Sequence, residues 1–119
     1  MTFDEFRTLI EACLARGREE SRNTKDPFKA VRRIVDFYKL HSHELPTKSF
    51  ANIVVSEWLL SDDAALRTYA RDIVRECDVV EAKSALEQLV KRLQVAPDRN
   101  HPSELVTVRE LLSELAKRP

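Results

Sequence analysis

An all-α fold is what this sequence predicts, and three observations carry that reading. Apolar residues recur at i, i+3, i+4 and i+7 along nearly the whole chain. Helix start signals precede most of these runs. One glycine and five prolines in 119 residues leave little material for glycine-rich loops or tight hairpins of strands. With 43% hydrophobic and 34% charged residues, the chain reads as one globular domain over residues 1–119.

The elements follow in order. Thr2 with Glu5 forms a capping box, and Phe6, Leu9, Ile10, Cys13 and Leu14 repeat on one helical face, closed by Gly17. Residues 18–25 are polar and aperiodic, and are expected to form a flexible connection. Asp26-Pro27 then starts a second helix, with the carboxylate accepting orphan amide hydrogens and proline in the first turn, where its missing N–H costs little. That helix is expected to reach about Leu40, with Phe28, Val31, Val35 and Tyr38 on one stripe and Ala30, Ile34 and Phe37 on the next.

His41 to Pro46 reads as a turn. Ile53-Val54-Val55 favours strand locally, but Phe50, Ile53, Val54 and Trp58 keep helical spacing, so Thr47–Leu60 is expected to be a central helix buried on most sides, Trp58 included. Ser61-Asp62-Asp63 caps a fourth helix carrying Leu66, Tyr69, Ala70, Ile73, Val74 and Cys77. Asp78 with Glu81 reads as a capping box for a fifth, with Ala82, Ala85, Leu86, Leu89, Val90 and Leu93 inward, forming an antiparallel hairpin with the fourth. Pro97 to Pro102 breaks the pattern, and His101 or Ser103 opens a sixth helix with Leu105, Val108, Leu112 and Leu115. The expected architecture is six helices packed as antiparallel hairpins.

Offset by 35 residues, the chain aligns with itself. Ala30-Val31-Arg32 meets Ala65-Leu66-Arg67, Ala51 meets Leu86, Val54-Val55 meets Leu89-Val90, and Trp58 meets Leu93. Helices two and three thus match four and five, the pattern of stacked hairpins in which one unit needs a neighbour to bury its face. Residues 61–74, with Leu66-Arg67 followed by Ala70, resemble the first helix of a HEAT repeat, and the resemblance is best over residues 61–93. It implies a short helical stack that binds protein and brings no catalytic residue set. The alternative is an ordinary six-helix bundle.

Composition narrows the function classes. Twenty basic and twenty acidic residues cancel, so no global field draws the chain to nucleic acid. No apolar run approaches the length needed to span a bilayer, and Met1 to Glu5 lacks the basic start of a signal peptide, so no membrane association and a cytoplasmic location are expected. A single glycine cannot build a phosphate-binding or dinucleotide loop, and neither a nucleophile elbow nor a His-Glu-x-x-His pair occurs. No enzyme activity, cofactor or metal is therefore expected. Cys13 and Cys77 fall on apolar stripes and read as free thiols, and His41-x-His43 with Glu44 is the nearest approach to a metal cluster.

The strongest polar feature is a ladder of Arg67, Arg71 and Arg75 on the fourth helix, extended by a basic cluster with Lys29 and Arg32 on the second, where the 35-residue alignment sets Arg32 against Arg67. These five residues are the expected contact surface for an acidic protein partner, because guanidinium forks pair bidentately with carboxylates. Asp36, Asp63, Asp72 and Glu76 lie near enough in sequence to neutralise the same face. A non-enzymatic interaction module is the leading reading. In scale and architecture it is similar to bacterial immunity proteins that neutralise a cognate toxin, some of which are HEAT-like, and a nucleic-acid-binding helical repeat is the further alternative.

Overall fold

The computed structural model describes residues 1–95 and 101–117, and the side chains of all of these but 101 and 102. The helices are α1 (Phe3–Thr24), α2 (Phe28–His41), α3 (Thr47–Leu59), α4 (Ala64–Cys77), α5 (Lys83–Val95) and α6 (His101–Ala116), with a 3-10 turn at Val80–Ala82. Among the described residues there is no strand. The break expected over Pro97–Pro102 lies mostly outside the described residues. No helix of the described residues is long and apolar enough to cross a membrane.

The chain divides into two compact units, Met1–Val54 and Val55–Pro119. In the first, α1 and α2 lie antiparallel, since their contacts run from Phe6 against His41, through the Cys13 thiol 3.7 Å from the Arg33 carbonyl, to Gly17 against Ala30. Phe6, Ile10, Leu14, Ala30, Ile34, Val35, Tyr38, Ala51 and Val54 are its buried apolar residues. A capping box at Thr2 and Glu5 starts α1 as the sequence predicts.

Leu9 and Ile53, expected inward, are exposed in this unit because each lies off the edge of its helix's buried face, and two further expectations fail at the end of α1 and at Phe28. The first helix does not close at Gly17, and residues 18–25 are not a flexible connection: α1 continues to Thr24, and Lys25 ends it in the left-handed conformation, φ 57°. The physical reason is tertiary. Gly17 is buried, and a Cβ built there would stand 3.0 Å from the Ala30 Cα, so the glycine serves close helix approach. Beyond it the polar run is fastened to α2: Glu20 accepts from the Arg33 Nε at 2.9 Å, and the Ser21 hydroxyl accepts from the Ala30 amide at 3.0 Å. The second failure is Phe28, expected on the apolar stripe and in fact exposed. The Asp26 carboxylate does accept from the Phe28 amide at 2.9 Å, but Pro27, expected at the first helical position, stands one place earlier as the N-cap of α2.

In the second unit, Trp58, Leu59, Ile73, Val74, Leu86, Leu89, Val108 and Leu115 are among the buried apolar residues, and Trp58 is as enclosed as its register predicts. Asp63 caps α4, accepting from the Ala65 amide at 2.9 Å. Asp78 does not form the expected box at the head of α5. It ends α4 instead, at φ 54°, with its amide donating to the Val74 carbonyl, and the 3-10 turn intervenes before α5 begins. That turn stands between α4 and α5, and among the described residues the more extensive backbone approach of α5 is to α6. Ile53 also departs from its expected inward place on α3. It is exposed along with Ser49 and Glu57, each one turn from the next.

Candidate functional site

Successive residues four apart on an α-helix rotate by about 40° around its axis, so an i, i+4 row drifts from one face to the next. The drift decides what becomes of the arginine ladder. On α4 the buried face is set by Ala70, Ile73 and Val74. Arg67 stands at the edge of that face, Arg71 a step further round, and Arg75 further still. Their side chains are accordingly 12%, 13% and 46% exposed.

The two enclosed guanidiniums converge on one carboxylate of α6. Arg67 donates through Nε to Glu104 Oε1 at 2.7 Å and through Nη2 to Oε2 at 3.1 Å, a two-pronged pair. Its Nη1 donates to the Ser61 carbonyl at 2.9 Å, so one side chain ties the head of α4 to α6. Arg71 Nη1 donates to Glu104 Oε1 at 2.8 Å, and its Nη2 lies 3.3 Å from the Thr68 hydroxyl. Arg75 turns back to Asp72 at 3.4 Å. The ladder is therefore not three outward guanidiniums: two face inward and are engaged.

Glu104 is only 9% exposed, and opposing forces act on it. Burial pushes its carboxyl up, and the hydrogen bonds and positive charge of Arg67 and Arg71 more than offset that, leaving it below the usual carboxylate range. The hydrogen bond to Glu104 in turn holds Arg67 above its ordinary value against desolvation. Asp72 goes the other way, raised chiefly by burial. Nearby, Arg92 fastens α5 to the turn before α4 through Asp62 at 2.7 Å and the Leu60 carbonyl.

Glu104 is the residue that the sequence reading missed, and a signal for it exists. It lies four, seven and eleven positions before Val108, Leu111 and Leu115, the buried residues of α6. A carboxylate on an apolar stripe requires a buried cation, and the inward edge of the arginine row supplies two.

Lys29 and Arg32 sit elsewhere, on α2 in the first unit. The buried face of α2 holds Ala30, Ile34, Val35 and Tyr38. The opposite arc carries Lys29, Arg32, Arg33 and Lys39 with Asp36 as its one acid, and Phe28 and Leu40 as its apolar members. Phe28 is 63% exposed and Leu40 70%. Asp26 holds Arg32 at 2.6 Å, and Glu20 holds Arg33. In both pairs the hydrogen bond to arginine is the first reason the acid sits below its usual range.

The histidines and cysteines occupy ordinary places. His41 stacks its ring 4.3 Å from Phe37 and meets Phe6 edge-on at 5.6 Å, while His43 is exposed. Among the described residues no three histidine, cysteine or acidic side chains are grouped to hold a metal ion. Cys13 and Cys77 are half-buried and form no disulfide, and burial raises the Cys13 thiol above its ordinary value.

No family model, curated protein or solved structure matches this chain.

Proposed function

We propose that the chain is a non-enzymatic protein-interaction module that presents the outward face of α2 to an acidic protein partner. One observation carries the reading: an exposed phenylalanine and leucine stand at the two ends of a helix face that otherwise holds Lys29, Arg32, Arg33 and Lys39 with the single acid Asp36. Aromatic anchors interspersed with arginine are the composition of interface cores and their hot spots, and Phe28 in water gains nothing for the fold. Asp26 and Glu20 hold Arg32 and Arg33 in place at the rim of the face, so less side-chain order is lost when a carboxylate arrives.

A stacked-hairpin architecture of the HEAT-like kind is part of the proposal. Its support is that the 35-residue sequence match extends to burial. Val35 and Ala70, Tyr38 and Ile73, Ala51 and Leu86, Val54 and Leu89, and Trp58 and Leu93 are buried pairwise, and Ile53 and Gln88, and Glu57 and Arg92, are exposed pairwise. Lys39 against Val74, Glu44 against Val79 and Leu59 against Gln94 break the match.

The test is affinity. With a partner recovered on the wild-type chain by crosslinking, Phe28→Ala and Lys39→Glu are each expected to weaken binding at least tenfold, about 1.4 kcal/mol, with circular dichroism unchanged. Arg75→Glu, on a different helix, is the control for a general charge effect. Full affinity in both α2 variants contradicts the assignment of this face.

A further inference from the structure

The face of α1 that turns away from α2 carries charge in a definite order. Phe6, Ile10, Leu14 and Gly17 are the buried side of this helix, so at 3.6 residues per turn the opposite arc has Thr8, Ala12, Ala15 and Glu19 along its middle. The arc is exposed throughout. Its N-terminal half is flanked by the acids Asp4, Glu5 and Glu11. Its C-terminal half is flanked by Arg16 and Arg22, with Arg18 at the margin and Glu19 as the one acid. A helix dipole favours such an order only in the first and last turns, which leaves Glu11 and Arg16 unexplained. Among the described residues, none of Glu11, Arg16, Glu19 and Arg22 makes an ion pair within the chain, in contrast to Glu20 and Arg33 at the α2 side.

We propose that this face pairs with the same face of a second copy of the chain, the two α1 helices lying antiparallel about a two-fold axis. With the axis crossing α1 between residues 13 and 14, Glu11 meets Arg16 of the second copy and Glu5 meets its Arg22. The symmetry repeats both contacts in the other direction. Each such pair lies at equal angles on the two sides of the arc's centre line, as a two-fold requires. At the centre Ala12 meets Ala15 of the second copy, and these small side chains let the helices approach to the near end of the usual spacing of about 8–10 Å. Glu19 meets Thr8 and Asp4 meets Asn23, so no two like charges face each other. Parallel pairing, by contrast, sets acid on acid and arginine on arginine. One ion pair at a wet surface contributes little, but several in a single register select the orientation and the partner. The arc points away from the α2 contacts at Gly17 and Cys13, so the dimer leaves both α2 faces open.

Sedimentation of the full chain decides it. The wild type is expected as a reversible dimer of twice the 13.8 kDa chain mass. Its Kd is expected to rise at least tenfold between about 0.05 M and about 0.5 M salt, because exposed pairs are screened. Glu11→Arg and Arg16→Glu are each expected to sediment as monomers with unchanged circular dichroism, since the axis turns either substitution into two like-charge contacts. Mixed in equal amounts, the two variants are expected to form a dimer of mixed composition, because all the acids at these positions then lie on one chain and all the arginines on the other. That recovery cannot come from a misfolded variant. A wild type that stays monomeric up to its solubility limit overturns the proposal, as does a dimer that survives both charge reversals. A mixture that stays monomeric overturns the pairing of Glu11 with Arg16. A dimer lost on Phe28→Ala but kept in both α1 variants places the contact on α2, and overturns the assignment to α1. The α2 reading is scored separately, by affinity for its acidic partner.

Discussion

The two units carry ionic pairs of similar chemistry in different surroundings. In Met1–Val54 the spacing of α1 and α2 is set by backbone approach at Gly17 and by the rings of Phe6 and Phe37, 5.6 Å apart, while Phe3 of α1 meets Phe50 of α3 at 5.5 Å. Its ion pairs decorate the rim, with Arg33 and Glu20 still 40% and 35% exposed. In Val55–Pro119 the core is aliphatic apart from Trp58, and the pair between α4 and α6 is enclosed. Charge at a wet rim contributes little to stability, while an enclosed charge becomes costly once its partner is removed. Identical residue types thus differ in consequence according to whether packing or pairing decides the local geometry.

The comparison breaks most visibly where bulk is removed. Trp58→Ala is expected to cost about 3–5 kcal/mol, because a nearly closed site loses a large apolar side chain and the surroundings collapse only in part. A thermal melt that does not move removes Trp58 from the core. A smaller loss is expected in the first unit from Gly17→Val, roughly 1–3 kcal/mol, as the added methyls force α1 away from the Ala30 backbone. Gly17→Ala is the sharper probe, since its gain in helix propensity, about 1 kcal/mol, opposes a milder version of the same clash. Chemical denaturation of the two variants separates crowding from propensity: an unperturbed Val variant means that the approach at Gly17 is not limiting.

How much of this was legible in the sequence depends on range. Features written within a single turn were readable, as at Thr2 with Glu5, Asp26 before Phe28, and Asp63 before Ala65, because a cap needs only its own neighbours. The buried stripe of Ile73 and Val74 was readable for the same reason. Misreadings arose where a distant element overrides local preference. Gly17 looks like a helix stop until Ala30 is placed against it, and the polar run after it looks like a loop until Arg33 and Ala30 engage it. Asp78 satisfies the pattern of a cap but takes a left-handed conformation that ends the previous helix. The arginine ladder was found, and its orientation was not: spacing of four residues identifies a row, but the 37 positions between Arg67 and Glu104 hide what the row meets. Only the carboxylate on the apolar stripe of α6 pointed to the answer.

The most direct test of the contrast between rim and enclosed charge is the acid limb of stability, measured by urea unfolding from pH 7 to pH 3 for the wild type, Glu20→Gln and Glu104→Gln. Both carboxyls are depressed in the folded chain from an ordinary value of 4.5. Their stabilisation is therefore complete above that value and is lost as pH falls through the lower folded value. Asp72, raised by burial, has the opposite sign, but it is common to all three chains and cancels in the comparison. Glu104→Gln is expected to lower stability at pH 7 by about 1–3 kcal/mol, since two enclosed guanidiniums lose their charged acceptor, and to flatten the acid limb. Glu20→Gln, at a solvent-screened rim, is expected to lower stability and flatten the limb in the same direction but much less. Parallel acid limbs and equal losses for the two variants contradict the account.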